Sequence, residues 1–245
     1  MNFSYDRAWA DVVAMVRTNL GLLATLAGVF LFLPAFALWL FSPIPQPAEG
    51  GEGTAALRMI YDYYVGHWPA FLALNLASSF GQAAILALLL DRDRPTVGEA
   101  LTVAVWMLPG YFVLGLLTNL AITFGFILFI VPGVFLMGRL AVVGPTMIDE
   151  RLSNPVAALQ RGWAHTAGLA WRIAGFLLLV AIVGWIGLSA ASSVIGVMAG
   201  LLLPEGAKIL ASAAADALGG TGLALLLALL SAAVYRQLRG GLAPL

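Results

Sequence analysis

The chain has 245 residues, 62% of them hydrophobic and only 10% charged, with twelve basic and twelve acidic residues and a formal net charge of zero. A soluble domain carries roughly a quarter charged residues, whereas here apolar runs of span length recur along the whole chain and mean hydropathy is +0.98, which excludes a soluble globule and implies a polytopic, all-α membrane bundle. Zero net charge points away from a nucleic-acid partner, and the lack of cysteine removes disulfides, thiolate nucleophiles and cysteine-based metal sites together.

The first segment, 4–18, is amphipathic. Tyr5, Trp9, Val12, Val13 and Val16 share one helical face, and Arg7 and Asp11 form an i,i+4 pair on the other. With Ser4 as its cap, it reads as a helix lying in the headgroup plane. The first span follows at 19–41. Its apolar run from Leu20 to Leu33, followed by Ala35-Phe36-Ala37, imitates a secretory signal peptide. The run continues through Leu38, Trp39, Leu40 and Phe41, however, so an uncleaved span is expected.

Prolines, glycines and glutamates between Ser42 and Gly53 mark an exposed loop. Tyr61, Tyr63, Tyr64, His67 and Trp68 form an interfacial aromatic cluster ahead of the second span, 69–90. Thr96 and Glu99 have capping-box spacing, starting a helix that leads into the third span, 108–130. Pro132-Gly133 is expected to be the turn of a hairpin whose second arm, 134–148, is about 22 Å long and therefore short for a crossing.

Asp149 and Glu150 end that arm, and Asn154-Pro155 opens a surface helix as N-cap and first helical residue. The fifth span, 173–200, lies in an apolar run longer than a crossing needs, so a tilt or a break is expected. Glu205 to Leu218 reads as a surface helix, Gly219-Gly220 as a break, and 221–238 as the sixth span. The whole is one integral membrane domain, with a weak threefold recurrence in which a tryptophan-bearing helix (Trp9, Trp106, Trp163) precedes two spans.

The stretch from Val131-Pro132-Gly133 through Arg139, Pro145, Asp149-Glu150, Asn154-Pro155, Ala158-Leu159, Trp163 and Gly168 resembles the membrane domain attached to some glycerophosphoryl diester phosphodiesterases. It is equally similar to a broad group of uncharacterised bacterial multi-pass proteins that share the domain. The resemblance covers this central stretch; one departure is Gly162, where serine is common. In the fused enzymes, cleavage belongs to a separate soluble barrel with paired histidines and acidic metal ligands. Nothing in this sequence corresponds to that barrel, so the resemblance implies a scaffold in a bacterial inner membrane rather than an activity.

Candidate sites each have a plain structural counterpart. Asp62 and His67 are near one another, but the aromatic cluster accounts for them without a metal. Gly219-Gly220-Thr221-Gly222 lacks the lysine and spacing of a phosphate loop. Ser192, Gly196 and Gly200 form a small-residue stripe suited to packing within the bundle or to a dimer face. Asn75, Gln82, Asn119 and Thr123 either line a polar path or bond between helices. Asp149, Glu150 and His165 are the local acid/base candidates for interfacial lipid chemistry. Arg139 is the one charge well inside a span, about 9 Å beyond Gly133 and about 15 Å before Asp149. It either snorkels to headgroups or turns inward to a neutral partner such as Asn119, because exposure to lipid costs at least about 2.5–3.5 kcal/mol.

No catalytic set, cofactor site or metal site is expected. The leading reading is a non-enzymatic membrane protein that handles lipids or organises the envelope. A small-solute transporter or channel is the alternative, and an interfacial lipid-acting enzyme the third. Membrane lipids are the expected partners, with a homo-oligomer or another membrane protein as further candidates.

Loop charge predicts orientation. Arg7, Arg17, Arg92, Arg94, Arg151, Arg161, Arg172, Arg236 and Arg239 fall on one face, against Arg58 and Lys208 on the other, which places both termini in the cytoplasm. Reporter fusions after Gly51 and after Arg94 should give opposite signals, the first periplasmic. Matching signals would refute six spans.

Overall fold

The computed structural model describes residues 3–42, 53–90 and 96–240. Among them the chain is helical almost throughout and has no strand. Six helical stretches are long and apolar enough to cross a membrane: Tyr5–Phe41, Trp68–Leu90, Val97–Leu128, Ile130–Asp149, Ala170–Leu202 and Gly206–Gly240.

α1 (Tyr5–Ala27) begins at Ser4, whose hydroxyl accepts the Arg7 N–H. At Asn19 the backbone leaves helical geometry (φ −123°, ψ 19°), and the Asn19 amide donates to the Met15 carbonyl at 3.1 Å. The kink falls where the amphipathic segment meets the apolar run, so the two parts can take different directions. Ala8, Val12 and Met15 turn to the bundle, while Tyr5 and Trp9 stay exposed. A π-helical turn, Gly28–Phe32, then joins α1 to α2 (Leu33–Phe41). Pro34 supplies a reason for it: proline lacks an N–H and crowds the carbonyl four residues back, and a wider turn relieves both.

α3 (Gly53–Gly66) leads into α4 (Trp68–Leu90). α5 (Val97–Leu128) starts with the Thr96/Glu99 capping box, in which the Thr96 N–H donates to Glu99 at 2.7 Å. α6 (Ile130–Leu140), α7 (Val143–Asp149) and α8 (Pro155–His165) follow, the last with Asn154 accepting the Val156 N–H at 2.9 Å. α9 (Ala170–Leu202) and α10 (Glu205–Gly240) complete the chain.

Three expectations need correction. The hairpin between α5 and α6 turns at a single extended residue, Phe129 (φ −165°, ψ 158°), and Pro132 and Gly133 lie in the first turn of α6. Proline is tolerated there because a first-turn N–H has no helical partner anyway. Gly133 serves close packing: an added Cβ would meet the Phe126 ring at 2.5 Å. Next, the fourth span is interrupted, with α6 and α7 separated at Ala141–Val142. Finally, Gly219-Gly220 lies inside a continuous α10, where a Cβ on Gly219 would sit 3.7 Å from Leu188 and Ser192.

Five helices form a ring, α4 against α5, α5 against the shorter α6, α6 against α9, α9 against α10, and α10 back against α4. α1 and α2 flank the ring on α10 and α4, and α7 lies across one end, touching α4, α5, α8 and α10. Ser4 and Gln237 meet at that same end through two hydrogen bonds of 3.2 Å; it is called the terminal end below.

Glycines set the closest approaches. A Cβ on Gly138 would fall 2.1 Å from the Ala170 carbonyl oxygen, and one on Gly162 would fall 2.6 Å from Val143. Gly138→Ala should therefore cost about 1–3 kcal/mol of stability, seen as a lower thermal midpoint in detergent. Gly196→Ala, with nothing within 4 Å of the added carbon, should leave the midpoint unchanged.

Candidate functional site

One side of the ring holds a half-open cavity of about 360 Å³ lined by polar groups from three long helices. α4 contributes Asn75, Ser78, Ser79 and Gln82; α5 contributes Tyr111, Thr118 and Asn119; α10 contributes Ser231. The broken span adds Leu140, Ala141, Gly144 and Pro145, so the interruption at Ala141–Val142 borders the cavity. Irregular backbone at membrane depth is tolerated where it lines such a space.

Asn75 and Asn119 are exposed and mark the mouth, whereas Tyr111 and Pro145 are buried and form the floor. Both asparagine amides donate to the carbonyl four residues earlier at 2.9 Å, which directs their side chains along their own helices. The Thr118 hydroxyl is fully buried and has no partner among the described residues. Burying a hydroxyl unpaired costs about 1–3 kcal/mol. The lining carries hydroxyls and amides and no charged side chain. That chemistry suits an uncharged polar guest, because an ion would find no counter-charge.

Beneath the floor, two adjacent acids brace α7. Asp149, with only 7% of its side chain exposed, accepts the Tyr235 hydroxyl at 2.8 Å and a bond from Arg239. Glu150 accepts a bond from Arg161 and lies 3.2 Å from His165 Nε2. The first set ties α7 to α10, and the second ties it to α8. Arg236 adds a bond of 2.9 Å to the Leu89 carbonyl at the end of α4. Asp149, Glu150 and His165 do come together, as interfacial chemistry would require, but each acid is engaged by an arginine.

Arg139 turns inward and towards the terminal end. Its guanidinium carbon stands 4.1 Å from the centre of the Trp163 ring, a cation–π contact with α8. The Thr166 hydroxyl donates to the Arg139 carbonyl at 3.0 Å, and the guanidinium Nε is buried without a partner among the described residues. Asn119 lines the cavity and does not meet Arg139.

The other candidates separate. His67 lies at the opposite end with Nδ1 2.9 Å from the Tyr63 carbonyl, and Asp62 beside it is exposed. No group of three or more His, Cys, Asp and Glu side chains able to hold a metal occurs among the described residues. Ser192 donates to the Ala215 carbonyl at 3.4 Å, but Gly196 and Gly200 face open space. Of the three, Ser192 alone meets a neighbouring helix, whereas Ala199 is the buried residue on the last turns of α9. Thr123 is exposed on α5 and does not line the cavity.

Ser78, Ser79, Tyr111, Thr118 and Ser231 were not singled out from sequence. The signal was present on α4, where Asn75, Ser78, Ser79 and Gln82 repeat at i, i+3, i+4 and i+7 and so share one face. Tyr111, Gly115 and Thr118 follow the same spacing on α5. No family model, curated protein or solved structure matches the chain.

Burial pushes the Glu150 carboxyl up, but bonds from Arg161 and His165 and their charge outweigh it and hold the group below the usual glutamate range. A depressed carboxylate stabilises the fold above its unfolded pKa of about 4.3, and that stabilisation is lost as pH falls through the folded value. The unfolding midpoint should drop as pH is lowered from about 4.5. Glu150→Gln should flatten this slope; an unaltered slope would show that the acid does not brace α7.

Proposed function

We propose that the protein is a non-enzymatic, multi-pass protein of a bacterial inner membrane, with both termini cytoplasmic, that takes a small uncharged polar molecule into the cavity between α4, α5 and α10. This favours the transporter or channel reading over lipid handling. The observation that carries it is the convergence of polar side chains from separate spans on one cavity, together with a buried, partnerless hydroxyl in its wall. α7 is the barrier between this cavity and the terminal end. Its two bracing sets, Asp149 with Tyr235 and Arg239, and Glu150 with Arg161 and His165, resist its displacement.

Lipid handling has its own support. Trp9, Trp106 and Trp163 are exposed, as indoles that rest among headgroups are.

The test is solute flux in proteoliposomes, with glycerol as a neutral hydroxyl-bearing probe. Permeability should exceed that of empty vesicles several-fold, and Gln82→Leu combined with Thr118→Val should return it to background while the protein stays folded. Asp149→Asn should raise flux by loosening α7. Vesicles as impermeable as protein-free ones, with no glycerol binding in detergent, would discard this reading in favour of lipid handling.

A further inference from the structure

At the opposite end of the bundle, α2, α9 and α10 line a second, half-open cavity of about 470 Å³. It is lined by Trp39 from α2; Trp185, Ser189, Ser192 and Ser193 from α9; and Asp216 from α10. From the Asn19 kink to Trp39 is about 30 Å of helix, and from Tyr235 back to Asp216 about 28 Å. Both distances match the hydrocarbon thickness. With the Asn19 kink taken as one boundary, the cavity falls where acyl chains give way to headgroups on the other side.

We infer that this cavity is a binding site for an organic ammonium group, held between the Trp39 and Trp185 indoles and the Asp216 carboxylate. Indole faces attract cations through the ring quadrupole. Tryptophan at a membrane boundary commonly serves only as an anchor. An anchor, however, does not account for an aspartate and three serines lining the same cavity as two tryptophans. No basic side chain pairs with Asp216 among the described residues, and the nearest base along α10, Lys208, is about 12 Å of helix away. The carboxylate therefore offers a counter-charge that no described basic residue neutralises. A carboxylate also selects against anions, and the indoles against small hard cations that keep their water. An ammonium on a carbon skeleton satisfies both conditions, with the serines accepting from any N–H it carries. The amine could be a free solute or the headgroup of a lipid in the outer leaflet; the chemistry is the same for both.

The site is chemically distinct from the uncharged central cavity and stands or falls separately from it. The test uses the full-length protein. In detergent, equilibrium binding of radiolabelled choline and ethanolamine should be saturable, and Asp216→Asn should weaken it at least tenfold. Trp185→Leu, a change at an exposed position, should weaken it comparably without altering the thermal midpoint. If the source is a headgroup, free amines will not bind. Instead, nanodiscs of phosphatidylethanolamine should raise the thermal midpoint above that in phosphatidylglycerol, and Asp216→Asn should abolish the difference. Silence in both arms, or responses that survive both Asp216→Asn and Trp185→Leu, would overturn the assignment.

Discussion

A helix that stops partway across a membrane must be held by something other than its own length, and in this protein Asp149 and Glu150 provide the hold. α7 is too short to reach across the bundle, so its position depends on what grips its end. Asp149 is nearly buried and receives both Tyr235 and Arg239 from α10, while Glu150 receives Arg161 and lies against His165 of α8. Removing one partner from such a set strands a desolvated charge, which costs more than the pair contributes when intact. Two adjacent residues therefore fix one short helix to the next helix in the chain, α8, and to α10, far away in sequence.

The cavity is a consequence of that arrangement. Because α6 ends at Leu140 and α7 begins at Val143, Gly144 and Pro145 can close the floor without filling the space above it. The wall is held open by the ring of helices, whose separation is set by residues without a Cβ at the tightest crossings. Gly138 against Ala170 brings α6 onto α9, and Gly125 against Gly133 brings α5 onto α6. Where helices approach this closely through dispersion contacts, there is no slack at the crossing, and the space left over collects between α5 and α10.

Arg139 shows the same economy of contacts. A guanidinium in hydrocarbon needs a partner, and the partner is the face of Trp163 on the amphipathic helix α8. Charge in the span is thus coupled to the same surface helix that Glu150 grips through Arg161. Gly162, between those two contacts, lets α8 reach Val143 at the start of α7. The three residues Arg161, Gly162 and Trp163 make α8 the brace of the interrupted span.

Composition and hydropathy period were enough to establish an all-α chain with six membrane-length helices, because hydrocarbon leaves the backbone no other way to satisfy its hydrogen bonds. Caps at Thr96 and Asn154 were equally legible, being local bonds written within three or four residues. Pro132-Gly133 misled for the converse reason: proline and glycine signal a turn only when neighbours leave room for one, and here the first turn of α6 and the Phe126 ring accommodate them. Gly219-Gly220 likewise stays helical because α9 packs beside it. The polar faces of α4 and α5 could be read as spacing, but whether they met each other or lipid could not. That depended on α7 being pinned by Arg239 and Tyr235, contacts that join residues 86 and 90 positions away, and contact at that range is decided only by the folded packing of the bundle.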